Sequence, residues 1–84
     1  MFFVYILQSE QTRRYYIGHT GDVQKRLTRH NKGRVHSTKH GSPWKVVRIE
    51  KVTSKNEAIR REREIKSYKS GIKFKKLINQ WRGG

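Results

Sequence analysis

Arg26 and His30 stand four residues apart. On a helix that spacing sends both side chains off one face, only about 40° apart around the axis. The guanidinium can steady negative charge on a pentavalent phosphate, and the imidazole can accept or relay a proton near neutral pH. The plainer alternative is a solvated basic helix face, and spacing alone favours it. Glu62 is one of only six acidic residues, and it stands at helical spacing from Ala58 and Ile65 on an apolar side. Carboxylates seldom turn inward unless paired or bound to a metal. Ion pairing with Arg26, Arg60, Arg61, Arg63 or Lys66 competes evenly with a second role, in which one carboxylate, waters and a substrate phosphate hold Mg²⁺. For Tyr5, Tyr15 and Tyr16, cross-strand packing is the simple account, although a phenol can also polarise a water. His19, His36 and His40 lack the cysteines and helical spacing of a usual zinc site. Phosphate contact suits His36 and His40 better, within a Gly33–Gly41 stretch that also carries Arg34, Ser37, Thr38 and Lys39 and reads as a flexible loop.

These residues need elements to hold them. Phe2–Gln8 is aromatic and β-branched, as a core strand should be. Ser9–Arg14 is polar and reads as a turn, and Tyr15–Gly18 as a second strand, so the pair suggests an antiparallel hairpin. A first helix is expected over about Asp22–Asn31, with Thr20 or Asp22 as its N-cap and Gly33 just past its end. Val23 and Leu27 form its core-facing stripe. Arg34–Pro43 is a loop and Trp44–Val52 a third strand. Ser54-Lys-Asn-Glu57 is a capping box that opens a second helix, with Ile59 and Tyr68 joining its inward side and Ser70-Gly71 ending it. A third helix follows over Lys73–Trp81, its stripe built of Phe74, Leu77, Ile78 and Trp81. The order β-β-α-β-α-α predicts a small α+β domain, a three-stranded mostly antiparallel sheet flanked by helices, spanning residues 1–84 as one unit.

Charge narrows the function. Lysine and arginine number 21 against six acidic residues, a formal net charge of +15. Solubility needs a magnitude of only roughly 2–8 in a small domain. A polyanion partner follows, nucleic acid ahead of an anionic membrane surface. There is no cysteine among the 84 residues, which excludes disulfides and thiolate zinc sites. No apolar run approaches the roughly 18 residues of a membrane span. The opening Phe2–Leu7 lacks the positive flank and cleavage site of a secretory signal, so a cytoplasmic protein is expected. A chain this short buries a thin core, so any chemistry should sit on an open face.

Phe3-Val4-Tyr5, ten intervening residues and Tyr16-Ile17-Gly18 together resemble the paired signature of the GIY-YIG nuclease superfamily. The run from Tyr16 to Asn31, with Arg26 and His30 inside it, is similar to that family's second strand and first helix. Glu57–Lys66 resembles the helix carrying its metal-binding glutamate. Three ordered blocks cover nearly the whole chain, in the manner of the small stand-alone bacterial members. The resemblance implies a metal-dependent endonuclease that hydrolyses DNA phosphodiesters by in-line attack of water. Tyr5 and Tyr16 would flank the scissile phosphate, one of them activating or orienting the water. Gly18 would keep the backbone close. Arg26 would stabilise the phosphorane, His30 would assist proton transfer, and Glu62 would hold one Mg²⁺ or Mn²⁺. Gly18, Arg34, Lys39, His40 and Lys66 are the expected nucleic-acid contacts, with DNA favoured over RNA. Two departures stand out: Phe3 replaces the family's first glycine, and the polar residue that completes many such sites has only Asn79 as a candidate. Larger relatives carry separate DNA-binding domains, so substrate choice here falls to the basic surface or to an unidentified protein partner. A monomer is expected. The alternative is a non-catalytic nucleic-acid-binding module on the same scaffold, or more remotely a basic ribosome-associated protein.

Overall fold

A computed structural model describes residues 1–81. Three strands, β1 (Phe2–Ser9), β2 (Tyr15–Thr20) and β3 (Trp44–Val52), make one sheet in the order β2-β1-β3. Both pairings are antiparallel, so the sheet is antiparallel throughout. Helices α1 (Val23–Asn31), α2 (Lys55–Ser67) and α3 (Ile72–Gln80) complete an α+β fold.

Alternation along the central strand sorts the helices. Val4 and Ile6 point to one face, where they pack with Ala58 and Ile65 of α2 and Phe74 of α3. Tyr5 and Leu7 point to the other, where Trp44, Tyr16, Leu27 and Val46 gather beneath α1. A strand buried on both faces must be apolar at every position, which is why Val4–Leu7 shows no polar alternation. Each fully buried aliphatic side chain contributes on the order of 1.5–3 kcal/mol. The register slips between Ile6 and Leu7, where Ile6 faces Arg48 and Leu7 faces Val46. Val47 is the extra residue, and the bulge turns Val46 and Val47 toward different clusters.

Helix starts follow the capping signals with one exception, while α2 ends at Ser67, ahead of the expected Ser70-Gly71. Asp22 caps α1 by accepting from the Lys25 amide at 3.0 Å, and Gly33 follows the helix at φ +72°, where a side chain would be strained. Ser54 caps α2 by accepting from the Glu57 amide at 3.2 Å. The expected reciprocal bond is replaced: the Glu57 carboxylate accepts from the Thr53 hydroxyl instead, so only half of the capping box forms. β1 and β2 run on to Ser9 and Thr20, beyond the expected Gln8 and Gly18. Helix α3 begins at Ile72, and Trp81 lies past its end with extended backbone. Trp81 therefore leaves the helical stripe and borders a groove with Phe3, Val46 and Ile49.

The stretch after α1 also departs from expectation. It contains a short 3-10 turn, His36–Thr38, and is pinned rather than free. Asn31 accepts from the Trp44 amide and donates to the Trp44 carbonyl. The Trp44 indole donates to the Thr38 carbonyl, and Ser9 donates to the Gly41 carbonyl. Polar residues at these positions look like loop filler in sequence. Here they satisfy backbone groups that burial would otherwise leave without partners.

Candidate active site

Tyr5 rises from the α1 face of β1, directly opposite Gly18 of β2. A Cβ at Gly18 would stand 2.6 Å from the Tyr5 hydroxyl oxygen and 2.8 Å from Cζ. The glycine is required by this close approach: it lets the phenol lie across the edge strand. Tyr16, on the same face, places its ring centroid 6.2 Å from that of Tyr5. His30 enters from the last turn of α1, 4.8 Å from the Tyr16 ring and 5.9 Å from the Tyr5 ring, centroid to centroid. It is fully buried, which removes it from the solvated basic face that spacing alone had favoured.

Both ring nitrogens of His30 are engaged. Nε2 lies 3.1 Å from the Tyr5 hydroxyl, and Nδ1 lies 2.7 Å from the hydroxyl of buried Thr38. Burial, reinforced by Arg26 and Arg29, pushes the imidazole down to about 4, so it is neutral near pH 7. Burial together with Tyr16 holds the Tyr5 phenol well above the ordinary tyrosine range, with Arg26 opposing and Glu62 adding to the rise. Arg26, half-buried one turn before His30, has no carboxylate partner among the described residues. A guanidinium one helical turn from His30 and without a counter-ion is suited to receive an anion from outside.

Glu62 belongs to α2 and so starts from the opposite face of the sheet. His19, which faces Val4 in the register, points to that same side and donates Nδ1–H to the Glu62 carboxylate at 2.6 Å. Lys66 donates to the other carboxylate oxygen at 2.7 Å. Burial raises the Glu62 carboxyl, but the Lys66 and His19 hydrogen bonds outweigh it and leave it below the usual range. Because β2 is an edge strand, the two faces meet around it. Of the cations weighed as partners for Glu62, only Lys66 forms the pair; Arg61 instead binds Glu50.

A lone hard carboxylate is a fitting Mg²⁺ ligand when waters and a phosphate complete the sphere. Glu62 meets that description once Lys66 and His19 give up their bonds to its two oxygens. No group of three or more His, Cys, Asp or Glu gathers among the described residues, so any metal would lean on the substrate. Arg34, Lys39 and His40 are exposed along the pinned stretch, as is His36, and Asn79 is exposed on α3. The structure therefore brings Tyr5, Tyr16 and His30 into one cluster with Arg26 beside it. It leaves Glu62 on the α2 face, bonded to His19 and Lys66, and leaves Arg34, Lys39 and His40 at the surface. His19 and Thr38 were not singled out as site residues from sequence. Strand alternation from Gly18 could have put His19 on the α2 face; nothing local marks Thr38.

Residues 1–76 match the family model described as the GIY-YIG catalytic domain. The chain is similar to a UPF0213 protein from Staphylococcus epidermidis, 38% identical over 76 residues, covering 89% of this chain and 92% of that one. A UPF0213 protein from Syntrophus aciditrophicus is 38% identical over 81 residues, covering 93% and 90%. The solution NMR structure of a UPF0213 protein from Bacillus halodurans superposes with a TM-score of 0.60 at 33% identity, covering 99% of this chain and 88% of that one.

Proposed function

The chain belongs to the GIY-YIG family, alongside the small UPF0213 proteins, and from that premise we propose that it is a metal-dependent endonuclease hydrolysing phosphodiester bonds in DNA. The observation that carries this reading is Arg26, a half-buried guanidinium without a carboxylate partner among the described residues, set beside the Tyr5–His30–Tyr16 cluster. Packing alone gives no reason to bury a polar histidine between a tyrosine and a threonine. The net charge of +15 draws a polyanion to this surface.

In the proposed reaction a water attacks phosphorus in line with the leaving oxygen. Tyr5 and Tyr16 flank the phosphate and orient that water, and neutral His30 takes up a proton through Tyr5. Arg26 stabilises the charge that builds on the phosphorane oxygens. Glu62 would hold one Mg²⁺ or Mn²⁺, which when bound polarises the phosphate and the leaving oxygen. Arg34, Lys39 and His40 supply phosphate contacts away from the chemistry, and Lys66 supplies one beside Glu62. We further propose that the protein works as a monomer in the cytoplasm, on DNA rather than RNA; no described helix is long and apolar enough to cross a membrane.

One observation favours a second reading, a binding module without turnover: both oxygens of Glu62 are already engaged, by His19 and Lys66. A panel of linear, nicked and branched DNA with Mg²⁺ or Mn²⁺, run beside Glu62→Gln and Arg26→Ala, separates the two. The nuclease reading expects cleavage that each substitution reduces by at least roughly 10²-fold, in line with loss of one charge-stabilising group. Undiminished cleavage by Glu62→Gln, or binding without cleavage under either ion, sinks it.

A further inference from the structure

Beside the Glu62 pair, β2 and the end of α2 enclose an open cleft of about 470 Å³. Arg13, Arg14, Lys66 and Lys69 line it, and no acidic residue does. Tyr15 stands in its wall, 38% exposed, with its ring edge-on to Phe74 at 4.8 Å. Among the described residues three non-glycine residues have positive φ: Arg13 at 66°, Lys69 at 49° and Ser70 at 63°. All three lie on the rim of this cleft. Left-handed backbone is costly for such residues and collects where a surface does work. Tyr15, Ile17 and His19 alternate along the α2 face of β2. At about 3.4 Å per residue, Tyr15 is roughly 14 Å along the strand from His19, the partner of Glu62.

We propose that this cleft binds an unpaired nucleotide of the DNA strand next to the cleaved phosphate, its base against Tyr15 and its phosphates on Arg13, Arg14 and Lys69. A groove of cations with an aromatic wall is the arrangement that holds single strands, because every base has a face to stack. A cleft of this size has room for one nucleotide. The substrate class is then DNA with a single-stranded segment beside the scissile bond, which refines the nuclease reading and rests on it for that last step only. The test is anisotropy of a labelled oligothymidylate and of a blunt duplex, both in EDTA so that no metal-dependent cleavage intervenes. Tyr15→Leu keeps bulk against Phe74 without the aromatic face; Tyr15→Phe keeps both. Tyr15→Leu should weaken oligothymidylate binding about tenfold and leave the duplex within about twofold, with Tyr15→Phe close to wild type. Equal weakening of both probes, or of neither, overturns the proposal. Because binding is read without turnover, failure to cleave any DNA would sink the nuclease reading and leave this result standing.

A separate observation carries a second inference, about Thr38. Its hydroxyl lies 2.7 Å from His30 Nδ1 and 3.4 Å from the Val35 carbonyl oxygen. The Val35 carbonyl, which also accepts the Thr38 amide at 3.1 Å, can only accept; with the threonine proton turned toward it, the hydroxyl oxygen is free to accept Nδ1–H. Neutral His30 then carries no proton on Nε2, and that nitrogen accepts from the Tyr5 hydroxyl. The geometry points to Thr38 as the positioning residue that sets the His30 tautomer, and to Tyr5 rather than Tyr16 as the phenol wired to it. With its own proton turned inward, Tyr5 shows lone pairs to the water. As the water oxygen bonds to phosphorus, its proton passes to the Tyr5 oxygen and the Tyr5 proton passes to Nε2. The phosphorus–leaving-oxygen bond breaks, solvent protonates the leaving oxygen, and His30 returns its proton through Tyr5. Nitrogen-15 NMR of the imidazole reads the tautomer directly and without substrate: a protonated Nδ1 is expected, and a protonated Nε2 overturns the inference. Thr38→Val should move the proton toward Nε2 and lower kcat by on the order of 10–100-fold with KM little changed, as loss of an acid–base pathway does. Thr38→Ser should restore both. A valine variant with wild-type tautomer and rate refutes the role, and the wild-type spectrum decides it even where that variant fails to fold.

Discussion

At the scale of single residues, Gly18 and His30 have roles their types alone do not reveal. Gly18→Ala would drive a methyl into the Tyr5 phenol, 2.6 Å away at the oxygen. Neither ring can retreat far, because both tyrosines pack against His30. Loss of roughly 1–3 kcal/mol in urea unfolding is expected, as for other overpacked sites, together with strongly reduced cleavage. His30 makes a prediction about pH. Its folded value of about 4 lies below the ordinary 6.5, so between these values the unfolded chain binds the extra proton. Stability therefore rises with pH across that window. The contribution is complete above about pH 6.5 and drains away toward pH 4, on the order of 3 kcal/mol in all. Thermal unfolding at pH 7 and at pH 4.5 should differ more for the wild type than for His30→Gln. Equal pH dependence in the two proteins would refute the burial argument. Sequence reading named His30 but could not tell a buried ring from a solvated one, since spacing of four residues fits both.

At the scale of elements, the site depends on how firmly α1 is started. Arg26 and His30 ride on this helix, and Asp22 holds its first turn through the Lys25 amide. Asp22→Ala should cost about 1 kcal/mol and reduce cleavage by more than that loss of folded protein explains. For α2 the two halves of the capping signal separate. Ser54→Ala should cost about 1 kcal/mol, whereas Glu57→Ala should cost distinctly less, because its carboxylate binds the exposed Thr53 hydroxyl instead of closing the box. Chemical denaturation of the two variants side by side checks the order. The motif Ser-x-x-Glu was readable as a helix start because the Ser–amide bond is local. The return bond was not, because Thr53 competes for the same carboxylate.

At the scale of the whole molecule, Glu50 ties the layers together. It accepts from Arg48 on its own strand and from Arg61 on α2, and Arg48 also donates to the Leu77 carbonyl of α3. Glu50→Ala leaves the half-buried Arg48 guanidinium without a carboxylate and Arg61 with Glu64 alone, so a loss of about 2 kcal/mol is expected. Cleavage per folded molecule should persist, since this hub lies on β3 and away from the β2 edge. Net charge acts at the same scale. With +15 on 84 residues, binding to duplex DNA should fall steeply with salt, the logarithmic slope being near −0.9 for each phosphate neutralised. A slope close to zero in titrations across salt concentrations would remove the electrostatic basis for a nucleic-acid partner.

The sequence by itself determined the element order, most helix starts, the basic character and the set of candidate residues for phosphoryl chemistry. Each of these is written locally, in alternation, in helical spacing, in a capping side chain a few residues from its amide, or in composition. The tertiary structure decided which of those residues meet. Tyr5 finds His30 across 25 positions and His19 finds Glu62 across 43, and no local pattern encodes such pairings. It also turned an ordinary loop threonine into a partner of the buried imidazole and sent Glu50, not Glu62, to Arg61. The physical reason is that the face a strand residue occupies follows from its own register, whereas what awaits it there depends on how distant helices pack.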